Sequence, residues 1–292
     1  MVLLIIAMTF ASMQDSAQQP HRETSIAFLK TQQHACGAFS VKNPVVDPTA
    51  LPSIRATRTA IKAFALNGST VPHPEKILQF LKDCHSPKTG GFSDRPGIEP
   101  DPVSTSVALM ILKELNQPVE PYLKSGMAFM DAHTKNFEEI RMVAPSLEQL
   151  QQWSTMAERW GQIIEEVRNA DGTYGKGPGM TRMTALRIVA RQRLGLPTPR
   201  KDDILAMIRP GQRVDGGFGG DQGDTSDLES CYRIVRLFSR LEAQPDRPTE
   251  LRAFIEKCHH ASGGYGVKPG DPPTLHGTYY AAVVTSWLNG GK

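Results

Sequence analysis

The sequence predicts an all-α protein assembled from repeated pairs of helices. Three observations predict it. Glycine turns that carry one aromatic residue recur along the chain, as KTQQHACGAFSV, KDCHSPKTGGFSDRPG, RNADGTYGKGPG, VDGGFGGDQGD and EKCHHASGGYGVKPG. The segments flanking these turns space their apolar residues three and four apart, which is the period of a helix face and not the alternation of a strand. Pro and Gly collect between the units, as in GLPTPR and EAQPDRPTE, where a helix has to stop.

The aromatic residues of the turns are Phe39, Phe92, Tyr174, Phe218 and Tyr265, the last three 44 and 47 residues apart. Phe92 and Tyr174 are separated by 82 residues, close to two such periods, so a unit without the turn is expected between them. PYLKSGMAFMDAH and NFEEIRMVAPSLEQLQQ, within residues 121–150, supply its two helices. After each turn comes a second apolar-periodic helix: TRTAIKAFAL, STSVALMILKEL, MTALRIVARQRLG, SCYRIVRLFSRL and TYYAAVVTSWL. The unit is helix, glycine loop, helix, and six units follow. A unit this short cannot bury both its faces alone, so neighbours must stack.

The chain of 292 residues carries a formal charge of +3 with acids and bases mixed, and no basic run of the kind that tracks a phosphate backbone. No stretch is apolar for long enough to span a bilayer. The N-terminal MVLLIIAMTFASMQ has the length of a signal-peptide core and is followed by the polar DSAQQPHRET. Residues 1–19 are thus expected to be an export signal preceding one domain over 20–292, although no Lys or Arg precedes the run and no clean A-x-A site follows it. A buried first helix is the alternative.

The four cysteines include no CxxC pair and do not form a disulfide framework. Cys36, Cys84 and Cys258 each stand just before a glycine turn, where a small apolar residue is expected in the core. Cys231 opens the second helix of its unit instead, at a position held elsewhere by hydroxyl residues such as Thr105. No G-x-S-x-G, P-loop, H-E-x-x-H or Rossmann fingerprint is present.

GGFSDRPGIEPDPVSTSVALMIL, from Gly90, and GGYGVKPGDPPTLHGTYYAAVV, from Gly263, resemble the repeat of protein prenyltransferase β subunits. The resemblance extends over residues 24–290. It implies an α/α toroid, an α6/α6 barrel whose inner helices surround a central cavity for an isoprenoid or other apolar ligand. It also implies a helical α-type partner subunit. Members of that family hold one zinc ion with an Asp-x-Cys pair and a His on the next inner helix. Glu229-Ser230-Cys231-Tyr232 stands in that register here, with Glu in place of Asp, and His276 opens the next inner helix. The resemblance therefore implies zinc on Glu229, Cys231 and His276, with Tyr232 lining the catalytic site. Asp227 is the competing carboxylate. Three protein ligands leave a fourth position for an acceptor thiol, which zinc would activate toward a prenyl diphosphate.

The phosphate side of the resemblance is altered. The family's loop Arg and Lys are replaced in GGDQGDTSD by Asp221 and Asp224, whose charge opposes a diphosphate. Arg182, in PGMTRM, and Lys176 are the nearby cations that could hold an anion. Two further readings stand beside a zinc-dependent transferase. One is an exported, non-catalytic toroid that serves as a binding scaffold. The other is a terpene cyclase, of whose Asp-x-Asp-Asp run only Asp101 is retained, in a chain with 7% aromatic residues.

Overall fold

The structure is a computed structural model describing residues 21–220 and 225–291. The expected export signal over 1–19, and Asp221 and Asp224, lie outside the described residues. The described chain forms twelve α-helices and no strand: α1 (Arg22–Lys30), α2 (Ile54–Leu66), α3 (Pro74–Cys84), α4 (Pro102–Glu114), α5 (Glu120–His133), α6 (Phe137–Leu150), α7 (Ala157–Glu165), α8 (Met180–Arg193), α9 (Lys201–Ile208), α10 (Leu228–Arg240), α11 (Pro248–Lys257) and α12 (Leu275–Leu288). None of these is long and apolar enough to cross a membrane.

The even-numbered helices form the inner ring. Each packs on the next, from α2 through α4, α6, α8 and α10 to α12, and α12 returns to α2, which closes the toroid. The odd-numbered helices lie outside. The expected unit without a glycine turn is α5 and α6, joined by residues 134–136 alone. The difference between an outer and an inner position is clearest in α3 and α4. Outer α3 buries only Ile77, Phe80, Leu81 and Cys84, a stripe at three- and four-residue spacing. Inner α4 is buried without interruption from Pro102 to Leu112, because it has neighbours on both sides and an outer helix behind it.

Two local devices start the inner helices. One is an N-cap: the side chains of Ser53, Asp101, Asn136, Asp227 and Thr274 accept the N–H three residues on. The other is a latch between the glycine loop and the helix it feeds. The N–H of the loop aromatic donates to a side chain on the inner helix: Phe39 to Thr57 (3.0 Å), Phe92 to Thr105 (2.8 Å), Tyr174 to Thr184 (2.9 Å) and Tyr265 to Thr278 (3.0 Å). In the remaining loop, the fourth in chain order, the acceptor is the Cys231 sulfur, 3.3 Å from the Phe218 nitrogen. Each latch satisfies a buried donor that the loop leaves outside any ladder. Glycine is required where such a loop presses on a neighbouring outer helix. Gly216 has φ +81°, and a Cβ there would collide with the backbone of Glu250 and Leu251 at the start of α11.

Cys84 and Cys258 are core residues, as expected, but Cys36 is exposed. It sits in the turn beyond α1, not on the inward face of the helix end.

Candidate functional site

The inner helices enclose a cavity of about 260 Å³. Its wall mixes two kinds of surface. Met110, Met142, Leu186, Val189 and Val283 are apolar, and Tyr232, Tyr279 and Trp287 form an aromatic side. Tyr232 is the centre of that side: it stacks on Tyr280 (4.7 Å between ring centroids) and Trp287 (5.7 Å) and meets Tyr279 edge-on (5.4 Å). Tyr265, by contrast, stays in its loop against His259.

The second surface is cationic. Arg58, Lys62, Arg141, Arg193, Arg233 and Arg236 line the same cavity, and among the described residues no Asp or Glu does. Most of these cations are paired from behind. Arg58 reaches Glu114 (2.8 Å), Arg141 Nε reaches Glu138 (2.6 Å), Arg193 reaches Glu148 (3.2 Å) and Arg233 reaches Glu229 (2.7 Å). The Arg236 guanidinium lies over the Tyr232 ring at 4.1 Å from its centroid. Burial pulls Arg236 down to about 9 and Arg193 down to about 10, so both remain charged at neutral pH. An adjoining recess of about 380 Å³ shares Arg193, Arg236 and Trp287 and extends the cavity toward the ends of α8 and α10.

The residues singled out from the sequence occupy a different arrangement from the one expected of a zinc centre. The Cys231 thiol is fully buried and turned into its own loop, where it latches Phe218 and faces that residue's carbonyl oxygen at 3.7 Å. Burial pushes the thiol up, away from the thiolate a metal requires. Asp227 is the N-cap of α10. Its carboxylate accepts from the Ser230 N–H (2.7 Å) and the Ser230 hydroxyl (2.9 Å). Glu229 accepts from Arg182 (2.8 Å) and from Arg233 at both Nε (3.1 Å) and Nη2 (2.7 Å). Burial works to raise the Glu229 carboxyl, but the hydrogen bond and charge of Arg233, with Arg182 and Arg141 behind, hold it below its usual value. His276 lies within the field of Glu229 and Arg233, and burial lowers it, so its imidazole is neutral at pH 7. Among the described residues no group of three His, Cys, Asp or Glu is placed to hold a metal ion, and the four residues as arranged do not fit a zinc centre.

Neither cation of the predicted anion-holding pair lines the cavity. Arg182 is committed to Glu229, and Lys176 is outside the cavity wall, in its loop. Asp101, the residue shared with cyclases, caps α4 and takes both its oxygens to Arg55 at 3.0 Å. Tyr232 does line the cavity, as expected. The residues that sequence reasoning passed over are the cations of the inner helices. Arg233, Arg236 and Arg240 in SCYRIVRLFSRL, and Arg58 and Lys62 in TRTAIKAFAL, were the available signal, because their three- and four-residue spacing gathers the cations on one face of each helix.

A family model described as "Prenyltransferase alpha-alpha toroid domain" matches residues 2–181 and 234–290. Arg182, Asp227, Glu229, Cys231 and Tyr232 fall between the two matched stretches. Two curated proteins of Arabidopsis thaliana are similar. Protein farnesyltransferase subunit beta is 26% identical over 125 residues, 40% of this chain and 26% of the relative. Geranylgeranyl transferase type-1 subunit beta is 27% identical over 187 residues, 55% of this chain and 48% of the relative. The chain thus spans about a quarter to a half of the length of these relatives. Among solved structures, the apo type II terpene cyclase MstE from Scytonema superposes with a TM-score of 0.63 at 14% identity, covering 93% of this chain and 97% of that one. A point variant of a glycosidase superposes with a TM-score of 0.62 at 13% identity, covering 96% and 99%. At these identities the two structures share the fold with this chain and nothing narrower.

Proposed function

Because the chain belongs to the prenyltransferase α/α-toroid domain family, we propose that its central cavity binds an isoprenoid diphosphate and that the protein acts as, or derives from, a transferase of that substrate. The observation that carries this reading is the cavity wall, apolar and aromatic over much of its surface, with six cations and, among the described residues, no carboxylate. An apolar chain would be desolvated against Met110, Met142, Leu186 and Val283, while its anionic head would meet guanidinium groups in a medium of low dielectric.

The chemistry of such a site follows from its own residues. Ionisation of an allylic diphosphate leaves positive charge on carbon and negative charge on the departing group. The rings of Tyr279 and Trp287 on the aromatic side of the wall would stabilise the first. The wall cations would stabilise the second, and in a preorganised site that contribution is large. A zinc-activated acceptor thiol would have to draw on ligands other than the buried Cys231 and the capped Asp227. The curated relatives are named as β subunits, and a helical partner subunit is part of the same proposal.

The test is calorimetric titration of the purified chain with farnesyl and geranylgeranyl diphosphate, alongside the corresponding alcohols. Saturable binding of the diphosphates, tighter than that of the alcohols, is the expected result. No heat from any of the four would sink the isoprenoid reading. Binding without turnover toward thiol peptides, even with added zinc, would favour the scaffold reading, which the structural use of Cys231 and Asp227 already supports.

A further inference from the structure

Two of the six cavity cations differ from the others. Arg58, Arg141, Arg193 and Arg233 each have a carboxylate behind them. Among the described residues, Arg236 makes no hydrogen bond or ion pair; Glu242 lines the adjoining recess with it, and its close contacts are the faces of Tyr232 at 4.1 Å and Trp287 at 5.9 Å. Lys62 on α2 likewise lines the cavity with no described partner. Arg193 and Arg58, which line the same cavity, act on Arg236 with charge of like sign. An unpaired cation in such a place is destabilising unless something compensates it.

Complementing the helix ends does not account for these residues. Arg193 and Arg240 stand at the C-termini of α8 and α10, where a cation favours the exposed carbonyls. Arg236 is a full turn further in, and its guanidinium turns back over Tyr232, away from those carbonyls. Lys62 is also one turn inside the end of α2. The helix-end effect fades within the last turn.

We propose that Arg236, flanked by Arg193 and Arg58 and joined by Lys62 across the wall, is a binding site for a phosphate-type dianion such as a diphosphate. The site lies in the central cavity between α2, α8, α10 and α12. It is distinct from the glycine-loop rim, where Arg182 is already held by Glu229. A guanidinium stacked on an aromatic face keeps its N–H edge free, and that edge matches two phosphate oxygens. The inference deepens the isoprenoid reading by giving the head group an address. The same chemistry would also hold free pyrophosphate.

Inorganic pyrophosphate and farnesol, titrated separately by calorimetry at low salt, distinguish the head site from the chain site. The full chain is compared with Arg236→Gln, Lys62→Gln and Arg182→Gln. Pyrophosphate is expected to bind the unmutated chain, to lose roughly tenfold or more in affinity in Arg236→Gln, and to weaken in Lys62→Gln. Farnesol affinity is expected to be unchanged in both. The thermal midpoint of Arg236→Gln should equal or exceed that of the unmutated chain, since an uncompensated charge is removed, which separates lost binding from lost folding. Pyrophosphate that fails to bind, or binds Arg236→Gln as well as the unmutated chain, overturns the site. So does a loss confined to Arg182→Gln. Farnesol binding alone would leave the isoprenoid reading standing without this site. Pyrophosphate binding alone would keep the site and remove the isoprenoid reading.

Discussion

Cys231 shows how one residue's role turns on its register. It follows Phe218 by 13 residues, the separation that joins Phe92 to Thr105 and Tyr265 to Thr278. That count is present in the sequence, and it places Cys231 at the latch position. The other two latches span 18 and 10 residues because their loops differ in length, which obscures the pattern until the helices are in place. Cys231→Ser keeps an acceptor for the Phe218 N–H, whereas Cys231→Ala leaves that donor buried and unmet. Urea denaturation should show Cys231→Ala less stable than Cys231→Ser by about 1–3 kcal/mol. Equal midpoints would mean that the sulfur is only filling space. Metal analysis of Cys231→Ser should also match the unmutated protein. A drop in zinc would instead restore the thiol as a ligand.

Among the elements, the inner helices carry both the fold's signals and its departures from them. Their starts are local and were readable: Asp101 and Asp227 stand just before the apolar run, and each accepts the N–H three residues on. Asp227→Ala should cost about 1 kcal/mol by urea denaturation, as the loss of a cap. Asp101→Ala should cost more, because Arg55 also loses the nearer of its two carboxylate partners. If Asp227→Ala is no worse than the exposed Glu75→Ala, the cap is not what starts α10. The departures are Arg58, Lys62, Arg233 and Arg236, charges on helices packed into the inner ring. A local pattern cannot tell whether such a cation reaches solvent past its neighbours or faces a cavity. That depends on the rotation of each helix within the ring.

The described helices close into a ring, and its seam joins the first unit to the last. The His21 and His259 rings stack at 3.5 Å, His21 Nε2 lies 3.0 Å from Glu256, and Gly263 packs against Thr24. Burial lowers His34, His85, His259 and His276 below the ordinary value of 6.5, with His21 and His260 adding to the effect on His259 against the opposing charge of Glu256. For a base lowered on folding, the unfolded chain takes up protons first. Stability is therefore complete above 6.5 and is lost as the pH falls through that value toward the folded one. The carboxyls of Glu148 and Glu229, held below their ordinary 4.5, add their loss only in more acidic solution. Thermal midpoints should fall from about pH 7.5 to about pH 5.5, and less steeply in His259→Phe, which retains the ring stack. A midpoint that is flat or rises over that interval would contradict the assignment.

The helix pairs, their number and the turn-less third unit follow from the amino-acid order alone, because each is written in contacts within one unit or between neighbours. The toroid came with a resemblance that the family match and the superposed folds bear out. What faces the centre follows only from tertiary structure. Closure of α12 on α2 brings Lys62, Arg193 and Arg236 from three different units to one wall, and the packed loops turn Cys231 and Asp227 to structural work. Lys62 precedes Arg193 by 131 positions and Arg236 by 174, and it shares a wall with them only once the ring has closed. No periodicity within a unit encodes the angle at which each helix presents its side chains to the cavity.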